Sequence, residues 1–250
     1  MYTVVTWDQR NCGKSFDKEQ NDIVLTKDLL MEDGKEITEF LLDYMHKDKI
    51  TILGHSDNQK WKKGKIIMRT IKSMENKYLM SSLDLVEDVF AKWDSKEEGE
   101  IVRQLVEEIR SKKYYVPELE LIMVDEEDIV IGYAMFSCFH IEGKYEDELL
   151  ILTPVAVKTE LQRQHISKEL LEYGFEKAKD MGFKAILVEG NPRNYNPRGF
   201  KPSYAYGIKA GPNIKLPHRD CLMVKELVEG ALDNMSGFID YSFYEALHEG

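Results

Sequence analysis

Residues 150–200 read LILTPVAVKTELQRQHISKELLEYGFEKAKDMGFKAILVEGNPRNYNPRGF, and the order of the patterns in this stretch decides the fold. The apolar run at 149–157 predicts a strand, which leads through a short polar loop at 158–165 into apolar positions at helical spacing. These positions predict a helix over 167–181, and the apolar run at 185–189 predicts a second strand. This order brings the start of the helix to the end of the first strand.

The start of that helix is suited to binding an anion. The first backbone N–H groups of a helix have no partner within the helix, and the helix dipole places positive charge at the same end. A pyrophosphate is a typical ligand of such a position. The sequence therefore predicts a phosphate-binding loop between the strand and the helix.

This stretch resembles the central motif of the GNAT acetyltransferases. The similarity extends upstream through YYVPELELIMVDEEDIVIGYAMFS and downstream to GALDNMSGFIDYS, so it covers about residues 66–245. It is closest to the branch whose loop reads G-x-P-x-Y-Y-x-R-F-G-F. The resemblance implies an α+β fold in which helices flank a mixed, mostly antiparallel sheet. It also implies that the strand at 150–157 diverges from the strand at 185–189.

The resemblance also implies an activity and a co-substrate. Acetyl-CoA would donate its acetyl group to a primary amine of a small molecule or peptide, and the amine would attack the thioester directly, without a covalent enzyme intermediate. The backbone of Val155, Ala156 and Val157 would bind the pantetheine arm and polarise the thioester carbonyl. Tyr195, four residues before Gly199, would protonate the leaving thiolate. Glu148 is our candidate for the group that takes the proton from the amine.

The phosphate loop departs from the family pattern Gln/Arg-x-x-Gly-x-Gly/Ala. The resemblance implies that six residues bind the cofactor here: Gln162, Arg163, Gln164, His165, Ile166 and Ser167. His165 and Ser167 replace the two glycines and add side-chain volume where a glycine backbone approaches the phosphates closely. Ser167 is also a candidate N-cap for the helix. The missing glycines motivate an alternative function, a non-catalytic GNAT-like module that senses acyl-CoA or binds a partner.

The first 57 residues predict a separate strand–helix–strand unit. Apolar runs at 2–7 and 50–53 are typical of strands, and apolar positions between 29 and 45 repeat at helical spacing. The stretch resembles the part of the α/β-hydrolases, proline iminopeptidases especially, that leads to the nucleophile elbow G-x-S-x-G. Ser56 lies at the elbow position in GHSDN, but the second glycine is absent. We therefore expect a truncated βαβ appendage rather than a second active site.

The predicted domains are the hydrolase-like fragment at 1–57, a polar linker at 58–65 and the acetyltransferase domain at 66–250. A single βαβ unit leaves strand edges unpaired and apolar faces uncovered. Pairing of two such units across a two-fold axis would cover them. The sequence therefore favours a homodimer.

Composition argues against several other classes of function. The chain carries 45 acidic and 34 basic residues, a net charge of −11, without a stripe of Lys and Arg, so nucleic acid is not an expected partner. The three cysteines are widely separated and no second His or Cys lies at ligand spacing from His165, so we expect neither disulfides nor a metal site. Without a signal-peptide pattern or an apolar run of membrane-spanning length, the expected location is the cytoplasm, with no membrane partner.

Overall fold

The computed structural model describes residues 27–44 and 69–247. The chain divides into two compact units, Met1–Ile67 and Met68–Gly250. The candidate active site belongs to the second unit.

The described part of the first unit is one helix, α1 (Lys27–Tyr44). It covers the apolar positions from 29 to 44 whose spacing predicts a helix, and position 45 lies outside the described residues. The predicted strands at 2–7 and 50–53 and the elbow residue Ser56 lie outside the described residues. The hydrolase-like fragment therefore stays a prediction.

The second unit contains both helices and strands. Its described helices are α2 (Leu79–Trp93), α3 (Lys96–Ser111), α4 (Ile166–Asp180) and the single turn α5 (Pro192–Tyr195). Its described strands are β1 (Thr70–Ser73), β2 (Glu120–Val124), β3 (Val130–Cys138), β4 (Leu149–Val157), β5 (Ala185–Glu189), β6 (Lys201–Pro202), β7 (Ile208–Ala210), β8 (Leu222–Glu226) and β9 (Gly237–Ile239). In the parts of the chain that the structure describes, no helix has the length and apolar character needed to cross a membrane.

Seven of these strands form one sheet in the order β1–β2–β3–β4–β5–β8–β6. All neighbouring pairs are antiparallel except β4 and β5, which run parallel. Helices α2 and α3 lie on one face of the sheet, and α4 lies on the other. The structure therefore confirms the predicted α+β fold with a mixed, mostly antiparallel sheet flanked by helices.

The predicted bounds are most accurate where an apolar pattern is long. The predicted strands at 149–157 and 185–189 are β4 and β5, and the helical spacing of apolar positions over about 79–93 predicts α2 with its observed bounds. The pattern at 67–70 also predicts a strand, whereas the described strand β1 begins at Thr70. Strands β7 and β9 have three residues each, too few to establish a period, and they pair with each other in a small parallel sheet.

Alternate residues of each strand belong to different cores because successive side chains point to opposite faces of a sheet. In β5, Ala185 and Leu187 pack in the core beneath α2 and α3. Ile186 and Val188 pack in the core beneath α4. Since helices cover both faces, the strand reads as a continuous apolar run rather than as an alternating one.

A buried acidic residue ties α3 to the sheet. Glu120, at the start of β2, has a fully buried side chain, and Arg110 of α3 donates to it from Nη2 at 2.5 Å. The hydroxyls of Tyr115 and Tyr133 also donate to its carboxylate, at 2.5 and 2.7 Å. A carboxylate excluded from water persists only when its oxygens are hydrogen-bonded and its charge is compensated. These three donors meet both requirements.

Removing the Glu120 carboxylate should therefore destabilise the second unit strongly. Glu120→Ala leaves the Arg110 charge partly buried without its partner, a change that typically costs about 3–5 kcal/mol of unfolding free energy. Glu118→Ala, two residues earlier at an exposed position, should change it by less than about 0.5 kcal/mol. Urea unfolding of both variants measures the difference. Equal midpoints would show that the network contributes no net stability.

Candidate active site

Parallel pairing between β4 and β5 is confined to three residues of each strand. The pairs are Leu149 with Ala185, Leu150 with Ile186 and Ile151 with Leu187. Beyond these residues β4 pairs only with β3, and β5 pairs only with β8, in the described chain. This register confirms the predicted divergence of the two strands.

A proline and a bulge in β4 coincide with the end of this pairing. Met135 of β3 lies opposite two residues of β4, Thr153 and Pro154, so β4 carries one extra residue there. A bulge bends its strand, and proline has no N–H to donate to a neighbouring strand. Both features favour separation of β4 from β5 just after Ile151.

The divergence leaves one edge of β4 available. Val155, Ala156 and Val157 pair with β3 on one side, while no described strand pairs with them on the other side. The side chain of Ala156 is buried in the core beneath α2 and α3, and the two valines are half-buried on the α4 side. The backbone between these side chains can therefore hydrogen-bond an extended ligand.

The loop before α4 adopts the backbone conformation that glycine favours, although it contains none. Arg163 and His165 have φ values of +62° and +65°, in the left-handed region. His165 occupies the first glycine position of the family pattern and is the N-cap of α4, without a side-chain cap hydrogen bond. The loop therefore holds two non-glycine residues in a conformation that glycine adopts without strain, and one of them, His165, stands where the family pattern has a glycine.

The remaining loop residues divide into exposed and buried positions. Gln162 and Gln164 are exposed, as are Arg163 and His165, whereas the side chain of Ile166 is buried. Ile166 can therefore reach a ligand only through its backbone. A predicted N-cap role for Ser167 is wrong, because α4 begins one residue earlier.

Arg198 joins the phosphate loop to the loop that carries Tyr195. Its Nη2 donates to Ser167 Oγ at 3.1 Å, and its Nη1 donates to the carbonyl of Asn194. Arg198 was not among the predicted site residues. The only signal for it in the sequence is its position three residues after Tyr195, shifted by one from the arginine of the family loop.

Tyr195 is the last residue of α5, the short turn that follows β5 after Gly190 and Asn191. Asn191 caps this turn by accepting from the Arg193 N–H at 3.0 Å. The Tyr195 ring packs edge-on against Phe200 at 5.6 Å, and it lies so close to Gly190 that a Cβ there would come within 2.6 Å of the ring. Burial raises the pKa of the Tyr195 phenol, while the charge of Arg198 opposes this shift. The phenol therefore remains a proton donor at neutral pH.

The structure does not bring Glu148 to the other predicted residues. Glu148 precedes β4 at the end where β4 and β5 are paired, roughly 20 Å from Pro154 at about 3.3 Å per residue. Its carboxylate accepts a hydrogen bond from Lys184 Nζ at 2.6 Å. This position and this ion pair do not support the predicted role as the base that takes the amine proton.

A different carboxylate lies at the open end. Glu189, the last residue of β5, accepts a hydrogen bond from the Tyr241 hydroxyl at 3.1 Å. Neither residue was predicted from the sequence. The signal available for Glu189 was an acidic residue that ends the apolar run AILV.

Comparison with known proteins gives a family match and related sequences. Residues 83–200 match the model of the acetyltransferase (GNAT) family. YhbS, an uncharacterised N-acetyltransferase of Escherichia coli K12, is 24% identical over 145 residues, which are 58% of this chain and 83% of YhbS. YjhQ, a second uncharacterised N-acetyltransferase of that strain, is 28% identical over 132 residues, 52% of this chain and 70% of YjhQ.

Solved structures share the fold. The crystal structure of E. coli YhbS in complex with CoA has a TM-score of 0.63 at 21% identity and covers 78% of this chain and 96% of YhbS. A GNAT-family acetyltransferase from Brucella melitensis in complex with acetyl-CoA has a TM-score of 0.53 at 22% identity, over 72% of this chain and 98% of that one. The second unit of the chain therefore has the GNAT fold.

Glycine substitutions at the adjacent residues 164 and 165 of the loop should change the unfolding free energy in opposite directions. His165→Gly should raise the unfolding free energy slightly, since a left-handed non-glycine residue costs about 1–2 kcal/mol. Gln164→Gly should lower it by about 0.5–1 kcal/mol, because its φ is not positive and glycine only adds unfolded-state entropy. Thermal or urea unfolding checks both. Destabilisation by His165→Gly equal to that by Gln164→Gly would show that His165 is not strained.

Proposed function

We propose that the second unit is an acetyltransferase domain of the GNAT family and that it transfers the acetyl group of acetyl-CoA to a primary amine of a small molecule or peptide. The observation that carries this proposal is the end of β4–β5 pairing after Ile151 and Leu187. It opens the sheet at the edge where α4 begins and where Tyr195 follows β5. In this proposal the free edge of β4, the first turn of α4 and the Tyr195 phenol form one site, which the contact of Arg198 with both Ser167 and Asn194 supports.

The extended arm of acetyl-CoA fits the open edge of β4. Backbone groups of Val155, Ala156 and Val157 would hydrogen-bond the pantetheine amides, as a missing neighbouring strand would. The pyrophosphate would lie at the first turn of α4, where unpaired N–H groups and the helix dipole favour negative charge. Exposed Arg163 adds a positive charge in the same loop. Two solved neighbours contain CoA or acetyl-CoA, which supports this choice of co-substrate.

The reaction requires stabilisation of the negative charge on the carbonyl oxygen and a proton for the leaving sulfur. The amine nitrogen attacks the thioester carbonyl carbon, the C–S bond breaks, and its electron pair remains on sulfur. Tyr195 would protonate that sulfur, because it lies beside the open end of β5 and its raised pKa keeps the phenol protonated. Backbone N–H groups of the β4 edge would stabilise the negative charge on the carbonyl oxygen.

A module that only senses acyl-CoA would share the binding site but not the chemistry. Arg198 favours catalysis because it ties the loop of the predicted acid to the phosphate loop through Ser167, at 3.1 Å. Such a link would hold the proton donor in a fixed position relative to the bound thioester, which catalysis requires and binding alone does not. The cytoplasmic location and the homodimer that the sequence favours complete the proposal.

Acetyl-CoA at a hundredfold excess over its Kd should stabilise the protein by about 2.7 kcal/mol. Release of free CoA should depend on an added primary amine.

Tyr195→Phe should reduce kcat by about 10²–10⁴-fold with unchanged acetyl-CoA affinity, because a general acid acts only in the transition state. Since burial raises the Tyr195 pKa, wild-type kcat should show no loss from this group below about pH 10.

Tyr173→Phe is a matched control, because this tyrosine is exposed on α4 and should keep full activity. Calorimetry and a thiol assay measure binding and turnover separately. Binding without amine-dependent CoA release would favour the sensing module. Absence of binding at millimolar acetyl-CoA would overturn the proposed function.

A further inference from the structure

Glu189 lies at the open end of the β4–β5 pairing. It is two residues beyond Leu187, the last residue of β5 that pairs with β4. The carboxyl ends of parallel strands lie at the same edge of a sheet, so Glu189 is at the level where β4 begins to bend away at Thr153 and Pro154. The thioester of the proposed co-substrate would lie at this level.

Glu189 and Tyr195 reach this point from opposite faces of the sheet. Leu187 packs in the core beneath α2 and α3, and side-chain alternation places Glu189 on the same face. Tyr241, which hydrogen-bonds Glu189, packs against that same core. Tyr195 instead packs against the core beneath α4. If an amine attacks the thioester from the face that carries Glu189, the leaving thiolate sulfur would therefore lie near Tyr195 on the opposite face.

Among the described residues, no cation balances the charge of Glu189. None of the ion pairs among the described residues includes Glu189, whereas Glu148 pairs with Lys184 at 2.6 Å. The Glu189 residue keeps solvent access. Burial of its carboxyl raises its pKa, while the hydrogen bond from Tyr241 lowers it. An accessible carboxylate that has no cationic partner in the described part of the chain is suited to attract a cation from solution.

Few groups surround this carboxylate. In the part of the chain that the structure describes, Tyr241 is the titratable residue that contacts it. The neighbouring strand β8 places apolar Leu222 at the paired position. The Tyr241 ring in turn contacts Phe139 at a centroid distance of 6.0 Å. The approach to Glu189 from this face is therefore acidic and aromatic, a combination that favours an ammonium group.

We propose that Glu189 binds the acceptor as a primary ammonium ion and is the base that takes its proton, with Tyr241 as the residue that positions it. This proposal rests on the proposed acetyltransfer. One ammonium proton passes to the Glu189 carboxylate, and the neutral amine nitrogen forms the new C–N bond. The C–S bond breaks, and the sulfur takes the Tyr195 proton. The second amine proton leaves to solvent as the amide forms.

Two small nucleophiles separate the role of Glu189 from the rest of the site. Ethylamine is an ammonium ion at neutral pH and must lose a proton before it attacks, whereas hydroxylamine is already uncharged. Glu189→Gln keeps a hydrogen-bond acceptor for Tyr241 but cannot take a proton. We expect its CoA release with ethylamine to fall by about 10²–10⁴-fold and that with hydroxylamine by less than tenfold, after subtraction of the rates without enzyme.

A second variant gives an independent readout. Tyr241→Phe removes the hydrogen bond that favours the charged carboxylate, so the Glu189 pKa should rise. The rising limb of the ethylamine rate should then move to higher pH, and Glu189→Gln should abolish that limb. Glu229→Gln makes the same chemical change at an exposed position after β8 and should leave the rates and the pH profile unchanged.

The outcomes distinguish this proposal from the proposed function. Equal losses with both nucleophiles, or no loss in Glu189→Gln, would overturn the role of Glu189 while acetyltransfer stands. A wild-type protein that binds acetyl-CoA but acetylates neither nucleophile would overturn both. Unchanged acetyl-CoA affinity and unfolding midpoint in Glu189→Gln would show that a lost rate reflects chemistry and not folding.

Discussion

The site depends on one constraint, that β4 and β5 stop pairing after three residues. Pro154 cannot donate a hydrogen bond to a neighbouring strand, and the bulge opposite Met135 bends β4 at the same place. Every group given a role in the proposals lies at or beyond this point, on the same edge of the sheet. Continued pairing toward Val157 would occupy the backbone groups that the pantetheine arm needs.

Tertiary contacts fix the positions of the loops that surround the open edge. Arg198 connects Ser167, in the first turn of α4, to the loop of Tyr195. Gly190 is required where the Tyr195 ring crosses the end of β5, because a Cβ would lie 2.6 Å from that ring. On the opposite face Tyr241 bonds Glu189. The proposed acid Tyr195 and the proposed base Glu189 are thus each positioned by contacts with other segments of the chain.

The sequence predicted the fold well because apolar periodicity reports burial. The long runs of β4 and β5 are bounded as predicted, and Pro154 is visible within the first of them. The site was predicted less completely because its groups meet through tertiary contacts. Glu148 and Glu189 both flank apolar strands, and only the register shows that Glu148 lies at the paired end. Tyr241 lies 52 positions from Glu189, and no local pattern connects them.

The phosphate loop shows a further limit of motif analysis. A missing glycine indicates lost geometry only if the replacing residue cannot adopt that geometry. His165 takes a φ of +65°, so a non-glycine residue adopts here a conformation that glycine would adopt without strain.

The most direct test of the central claim is a crystal structure of the full chain with acetyl-CoA. The account predicts that the pantetheine arm runs along Val155–Val157 between β4 and β5. It also predicts that the pyrophosphate lies against the first turn of α4. Acetyl-CoA bound elsewhere, or β4 and β5 paired beyond Ile151 and Leu187, would contradict it.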